Sequence, residues 1–201
     1  MIRNVIFDFG AVLFEWNPLQ IVNSFTISQP ERDILLRDVL QHSDWLSLDR
    51  GTMLIAEVIP KFSARTQIPP QRIEDFIIHI QHSLTKINQT EILFQKLTKQ
   101  PYSLYYLTNM CSAFFDTLYE KHHFISFFDG GLVSGKELVM KPEQEIFERL
   151  CERYQLTPRE SLFIDDNDEN IKIATEMGFN TVQFSQTPTC FQQIEKQLLL
   201  H

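Results

Sequence analysis

Asp8 closes the first apolar run of the chain, Val5-Ile6-Phe7-Asp8-Phe9-Gly10, and a second acidic cluster, Asp165-Asp166, closes another, Leu162-Phe163-Ile164, far along the sequence. Both sites are expected at the exits of buried strands. A carboxylate there carries a large desolvation cost unless something cationic compensates it. A shared hard metal ion held by oxygen ligands from several strand ends meets that need, and Mg²⁺ is the leading candidate.

Two other segments belong with these acids. Thr108-Asn109 follows the apolar run 103 to 107, and Lys141 precedes Pro142 and the helical run 143 to 153. In an open parallel sheet the loops at the carboxyl ends of the strands converge on one crevice, so residues distant in sequence can meet there. Asp8 can then attack a phosphorus atom and form an acyl phosphate. The Thr108 hydroxyl and nearby backbone N–H groups can orient phosphoryl oxygens. Lys141 supplies a permanent cation beside a helix N-terminus, which already favours anions. Asp165 and Asp166 would complete the metal shell.

Each residue alone has a plainer role. An Asp after a strand is most often a turn residue or helix cap, Thr108-Asn109 suits a cap for the following helix, and a lone lysine before proline is usually solvated. It is their conjunction that points to chemistry. Asp168 and Glu169 fit the first turn of a helix, and Asn170 is expected to hold an aspartate or a metal-bound water.

The elements that must position these groups follow from the hydrophobic pattern. Short apolar runs at residues 2 to 8, 103 to 107, 131 to 134, 161 to 165 and 181 to 184 read as buried strands, with helical periodicity between most of them. That alternation predicts a parallel sheet covered by helices. Residues 17 to 87 break it: Ile55, Val58, Ile59 and Phe62, then Ile73, Phe76, Ile77, Ile80 and Leu84, recur at helical spacing. This segment reads as a helical insertion punctuated by Pro18, Pro30, Gly51 and Pro69-Pro70. Linkers near 14 to 17 and 85 to 90 would join it to the rest and act as hinges.

Composition bounds the remainder. With 201 residues, 43% of them hydrophobic, the chain can bury one full core plus a sizeable insertion. No apolar stretch approaches the roughly 20 residues of a membrane span, and the N-terminal run is too short for a signal peptide, so a cytoplasmic location with no membrane partner is expected. Cys111, Cys151 and Cys190 have no metal-ligand spacing and read as reduced thiols. The six histidines lack a ligand pattern: His42, His79 and His82 lie in the insertion, His122 and His123 end a helix, and His201 is terminal. A formal charge of −8 argues against nucleic acid as a partner. An anionic small substrate stays compatible, because a metal and a lysine invert the local potential.

Four segments together resemble the haloacid dehalogenase-like hydrolases over nearly the whole chain. Phe7-Asp8-Phe9-Gly10-Ala11-Val12-Leu13 is similar to that family's nucleophile loop, Leu107-Thr108-Asn109 to its second motif, Met140-Lys141-Pro142 to its third and Ile164-Asp165-Asp166-Asn167-Asp168-Glu169-Asn170 to its fourth. Their order is what makes the match specific. The resemblance implies an α/β fold with a doubly wound, Rossmann-like core of residues 1–16 and 88–201 and a helical cap of residues 17–87. It also implies Mg²⁺-dependent hydrolysis of a small phosphorylated metabolite through a phospho-aspartate. Asp8 and Asp166 would bind the metal with the main-chain carbonyl of Gly10, and Asp165 less directly.

One departure matters. Phosphatases of the family usually carry a second aspartate two residues after the nucleophile as general acid, and here that position is Gly10. Some capped relatives share this Asp-x-Gly-x-Val loop, and sugar-phosphate phosphatase activity is known among them, so a sugar phosphate is one expected substrate. Glu15 or Asp49 is then a candidate proton donor. Trp16-Asn17 and Trp45 to Thr52 lie where a cap can face the cleft, although Trp16 and Trp45 read first as packing, and Asp49-Arg50-Gly51 as a polar surface turn. Two alternatives stand beside the phosphatase. One is a metal-independent 2-haloacid dehalogenase, against which the Asp165-Asp166 pair argues. The other is a catalytically weak protein that binds a metabolite or partner.

Overall fold

The computed structural model describes residues 1–200, and His201 lies outside them. Among the described residues, five strands form one all-parallel sheet in the order β3-β2-β1-β4-β5. They are β1 (Asn4–Phe7), β2 (Ser103–Thr108), β3 (Gly130–Val133), β4 (Ser161–Asp165) and β5 (Asn180–Gln183). Sequence and structure agree on all five to within one or two residues.

The central strands show why continuous apolar runs suit this sheet. On β1, Val5 and Phe7 point into one core and Ile6 into the other; on β4, Leu162 and Ile164 share the first core and Phe163 the second. Helices cover both faces, so alternate side chains are buried on either side and the polar residues Asn4, Ser161 and Asp165 fall only at the strand ends. Phe7 and Phe163 have no exposed surface. Truncating either to Ala is expected to cost about 3–5 kcal/mol.

Between β1 and β2 run α1 (Pro18–Phe25), α2 (Gln29–Leu35), α3 (Ser43–Arg50), α4 (Ile55–Thr66) and α5 (Pro70–Ser83), and then α6 (Asn88–Leu97). Pro18, Pro30 and Pro70 each stand in the first turn of a helix, where the missing N–H costs nothing. The predicted apolar stripe is real: Val58, Phe62, Ile73, Phe76, Ile77 and Ile80 are buried. Gly51 caps α3 with φ 85°, and a Cβ there would come within 2.3 Å of the Gly135 carbonyl oxygen, so both conformation and space demand glycine. The two connections to this insertion run side by side: Glu15 N–H donates to Thr85 at 2.7 Å and Ile87 N–H to Leu13 at 2.9 Å.

The chain continues through α7 (Ser112–Lys121), α8 (Ser134–Glu137), α9 (Gln144–Tyr154), α10 (Asp168–Glu176) and α11 (Pro188–Gln197). Two local expectations need correction. Asp49 and Arg50 form the last turn of α3 rather than a surface turn. His123 begins a short 3-10 segment, because α7 already stops at Lys121. The three cysteines are free thiols, and no described helix is long and apolar enough to cross a membrane.

Candidate active site

Strand order brings the chemistry together. β2, β1 and β4 are neighbours, with Phe7 opposite Tyr106 on one side and Ile164 on the other. Thr108 and Asp165 therefore end the strands that flank β1. Asp8 lies one step beyond β1, and its N–H extends the ladder to the Ile164 carbonyl at 3.0 Å. This is the crevice at the carboxyl edge where the winding reverses.

Lys141 is the hub. It is only 2% exposed, and its Nζ lies 2.9 Å from Asp8 Oδ1 and 2.5 Å from Asp165 Oδ2. Asn109 fixes its backbone from both sides: Asn109 Nδ2 donates to the Lys141 carbonyl at 2.8 Å, and the Lys141 N–H donates to Asn109 Oδ1 at 2.9 Å. Asp165 is fully buried and accepts further hydrogen bonds from the Asn167 N–H at 2.9 Å and from Asn170 Nδ2 at 3.0 and 3.1 Å. Asn170 thus holds an aspartate, one of the two roles expected of it.

Electrostatics shows what this cluster would take up. Asp8, Asp165 and Asp166 offer carboxylate oxygens that all lie within 4.8 Å of one another. Three carboxylates against one ammonium leave a formal excess of two negative charges. Burial, with Asp165 and Asp166 adding repulsion, pushes the Asp8 carboxyl up to about 7 even though Lys141 pulls it down. Partial desolvation and then Asp165 also raise Asp166, although its outer face is exposed. Burial alone would lower the Lys141 ammonium, but Asp165 and Asp8 together hold it above its ordinary value. A divalent cation bound by oxygen would balance this charge, and the donor set suits a hard ion such as Mg²⁺. The Thr108 hydroxyl, 1% exposed, has no hydrogen-bond partner in the protein. A buried hydroxyl without a partner costs free energy unless a ligand supplies one.

A cavity of about 310 Å³ opens over the cluster. Asp8, Gly10, Asn109, Lys141 and Asp166 line it, whereas Thr108 and Asp165 sit behind the lining. Asn109 faces the cavity with its amide already committed to Lys141. The opposite wall comes from the insertion and its linker: Trp16, Trp45 and Asp49 line it. Trp16 and Trp45 stack at 6.1 Å, and Phe114 meets Trp45 edge-on at 6.1 Å. Phe114, Leu40 and Met110 carried no functional signal in the sequence, because an apolar residue on a cavity wall has the same periodicity as one in the core.

The two candidate acids separate cleanly. Glu15 lines a different groove with Asn17 and Gln20 and accepts a hydrogen bond from Gln186 at 3.2 Å. Asp49 lines the same cavity as Asp8. Its position is fixed through the backbone: Ser134 Oγ donates to the Asp49 carbonyl at 2.5 Å, and the next residue, Arg50, makes two hydrogen bonds to Glu143 at 2.5 and 3.0 Å. Burial pushes the Asp49 carboxyl up to about 7, opposed by the Cys111 backbone and the Trp45 side chain. Ionic groups on the elements packed around α3 pair with residues other than Asp49: Lys136 with Asp116, Glu137 with Arg153, and Lys61 and Arg65 with Asp44 of α3 itself. The nearby Cys111 thiol, pushed up to about 12 by burial, stays neutral.

Comparison with known proteins adds a family. The model described as "Haloacid dehalogenase-like hydrolase" matches residues 5–184. The chain is similar to Sesquiterpene phosphatase astK of Aspergillus oryzae, 25% identical over 194 residues that cover 94% of this chain and 94% of the relative. It is likewise similar to D-ribitol-5-phosphate phosphatase of Bacteroides thetaiotaomicron, 25% identical over 197 residues that cover 91% and 92% respectively. A solved HAD family enzyme from Bacteroides thetaiotaomicron, in complex with magnesium and inorganic phosphate, shares the fold with a TM-score of 0.72 at 22% identity, covering 90% of this chain and 93% of that one.

Proposed function

The chain belongs to the haloacid dehalogenase-like hydrolase family, and on that premise we propose that it is a Mg²⁺-dependent phosphatase acting on a small phosphomonoester through a phospho-aspartate on Asp8. One observation carries the reading. Three acidic side chains converge within 4.8 Å of one another beside a buried lysine, with a cavity over Asp8 and Asp166, and Asp8 is the one of these two that Lys141 contacts, at 2.9 Å. The charge excess also weighs against a metal-independent dehalogenase, which has no use for it.

In this proposal Asp8, Asp166 and the Gly10 carbonyl would hold the ion, with Asp165 contributing mainly by fixing Lys141. When bound, Mg²⁺ supplies charge stabilisation to the phosphoryl oxygens. The Asp8 carboxylate attacks phosphorus, the ester P–O bond breaks, and a new P–O bond to Asp8 forms. Lys141 offsets the charge of the attacking carboxylate, and the Thr108 hydroxyl, set behind the lining without a protein partner, is the donor left for a phosphoryl oxygen that enters past Asp8. Asp49, whose carboxyl burial pushes up to about 7, gives its proton to the departing alkoxide. It then takes one from the water that attacks the phosphorus of phospho-Asp8, which releases inorganic phosphate and restores the carboxylate. Asp49 so fills the role that Gly10 cannot. Residues 17–87 act as the cap and residues 1–16 and 88–201 as the core.

The two curated relatives are named for leaving groups of opposite polarity, a sesquiterpene and a sugar alcohol. The strand-exit cluster does not choose between them. The test of the activity itself is direct: purified protein is expected to hydrolyse p-nitrophenyl phosphate with Mg²⁺, to stop on chelation, and to stop in Asp8→Asn. Undiminished activity in that variant would overturn the mechanism.

A further inference from the structure

The wall facing the acidic cluster has a composition that the chemistry does not require. Pro18, Leu40, Trp45, Leu46 and Leu84 line the cavity from the insertion side, and Asp49 is the one carboxylate among them. The polar lining residues on the other side are largely committed. Asn109 holds Lys141, Asn170 holds Asp165, and the Asn167 side chain accepts the N–H groups of Glu169 and Asn170 at 2.9 and 3.2 Å. Lys141 is the one Lys or Arg lining the cavity among the described residues, and both nearby carboxylates occupy it.

Gly10 extends the apolar character. A side chain at that position would meet Trp16 Cβ at 3.6 Å, so the space beside the nucleophile is bounded by indole. Trp16 in turn stacks on Trp45, whose edge contact is Phe114. Aromatic walls of this kind favour hydrocarbon.

From this lining we infer that the enzyme selects phosphomonoesters of apolar alcohols, alkyl or isoprenoid in character, over sugar or polyol phosphates. The inference rests on the phosphatase reading and adds the leaving group. A polyol would bring several hydroxyls against carbon surface, and each one left without a partner costs roughly tenfold in affinity. An alkyl chain needs no such partner, and each methylene moved from water onto the wall contributes about three- to fourfold. The cavity lies at the lower end of volumes that hold a small organic ligand. The sugar phosphate expected from the nucleophile loop is the competing leaving group, and the experiment sets the two against each other.

The experiment compares kcat/KM of the Mg²⁺-loaded protein across n-alkyl phosphates from ethyl to decyl, with p-nitrophenyl phosphate and ribitol 5-phosphate alongside. The expected result is a rise of about threefold per methylene until the cavity is filled, with ribitol 5-phosphate below hexyl phosphate. Leu46 is 54% exposed and lines the cavity, so Leu46→Asp should fold and should lower the decyl-to-ethyl ratio at least tenfold. A flat alkyl series, or a better rate with ribitol 5-phosphate, overturns the inference while p-nitrophenyl phosphate turnover keeps the phosphatase reading intact. No turnover of any ester, aryl phosphate included, overturns both.

Discussion

The two sides of the cavity are built on opposite principles. On the sheet side, Asp8, Lys141, Asp165 and Asn170 form a closed network in which every member is held by another; the adjacent strands β1 and β4 set Asp8 and Asp165, and Asn109 after β2 fixes the Lys141 backbone. On the insertion side, helices present Trp45, Leu46 and Leu40 with one carboxylate, and the contacts are side-chain packing. Reaction chemistry tolerates little displacement, so it sits on the rigid sheet. Selectivity depends on shape and polarity, and these can change with the surface of a few helices while the network stays the same.

This contrast can be broken first on the sheet side. Asp8→Asn should lower kcat by about a thousandfold or more on every ester, aryl and alkyl alike, because it removes the nucleophile. Lys141→Met leaves Asp8 and Asp165 buried without their cation. It should cost about 3–5 kcal/mol in urea unfolding as well as activity. A variant of unchanged stability would show that the network is not closed as described.

Changes on the insertion side should discriminate among substrates. Asp49→Asn is expected to slow alkyl phosphates by about a hundredfold and to leave p-nitrophenyl phosphate within a few-fold, since nitrophenolate leaves without a proton. With alkyl esters the wild-type rate should fall as pH rises past about 7, where Asp49 loses its proton, and the variant should lack that limb. Stability gives an independent sign. A carboxyl raised from 3.8 to about 7 binds more protons in the folded state, so the fold loses stability as pH rises through that window. Asp49→Asn should therefore melt higher than wild type at pH 8 and match it at pH 4. Gly10→Asp has the smallest expected effect. A Cβ there makes only ordinary contact with Trp16, and with Asp49 already supplying the proton, alkyl phosphate turnover should change by less than about threefold.

The legibility of these two sides in the sequence differs for the same physical reason. Val5 to Phe7 and Leu162 to Ile164 read as buried strands because both faces of a covered parallel sheet are apolar. A carboxylate ending each run was therefore conspicuous. Lys141 and Thr108 were legible by their place after an apolar run or before a helix. The lock of Asn109 on the Lys141 backbone was not, since it joins residues brought together only by the fold. Asp49 was a candidate beside Glu15, and only the fold separates them, by setting Asp49 on the cavity of Asp8 and Glu15 on another groove. The cavity wall was legible only in part: Trp16 and the run Trp45 to Thr52 stand where a cap can face the cleft, whereas Leu40, Leu84 and Phe114 follow the same periodicity as core residues that touch no ligand.

The central claim is that Asp8 itself carries the phosphoryl group. Protein turning over p-nitrophenyl phosphate with Mg²⁺ should be quenched in acid, reduced with borohydride and digested, so that any aspartyl phosphate is read by mass spectrometry as homoserine. Homoserine at position 8, dependent on substrate and on Mg²⁺, is the result this account predicts. Steady turnover with position 8 unmodified, or with the label on Asp166 instead, would contradict it.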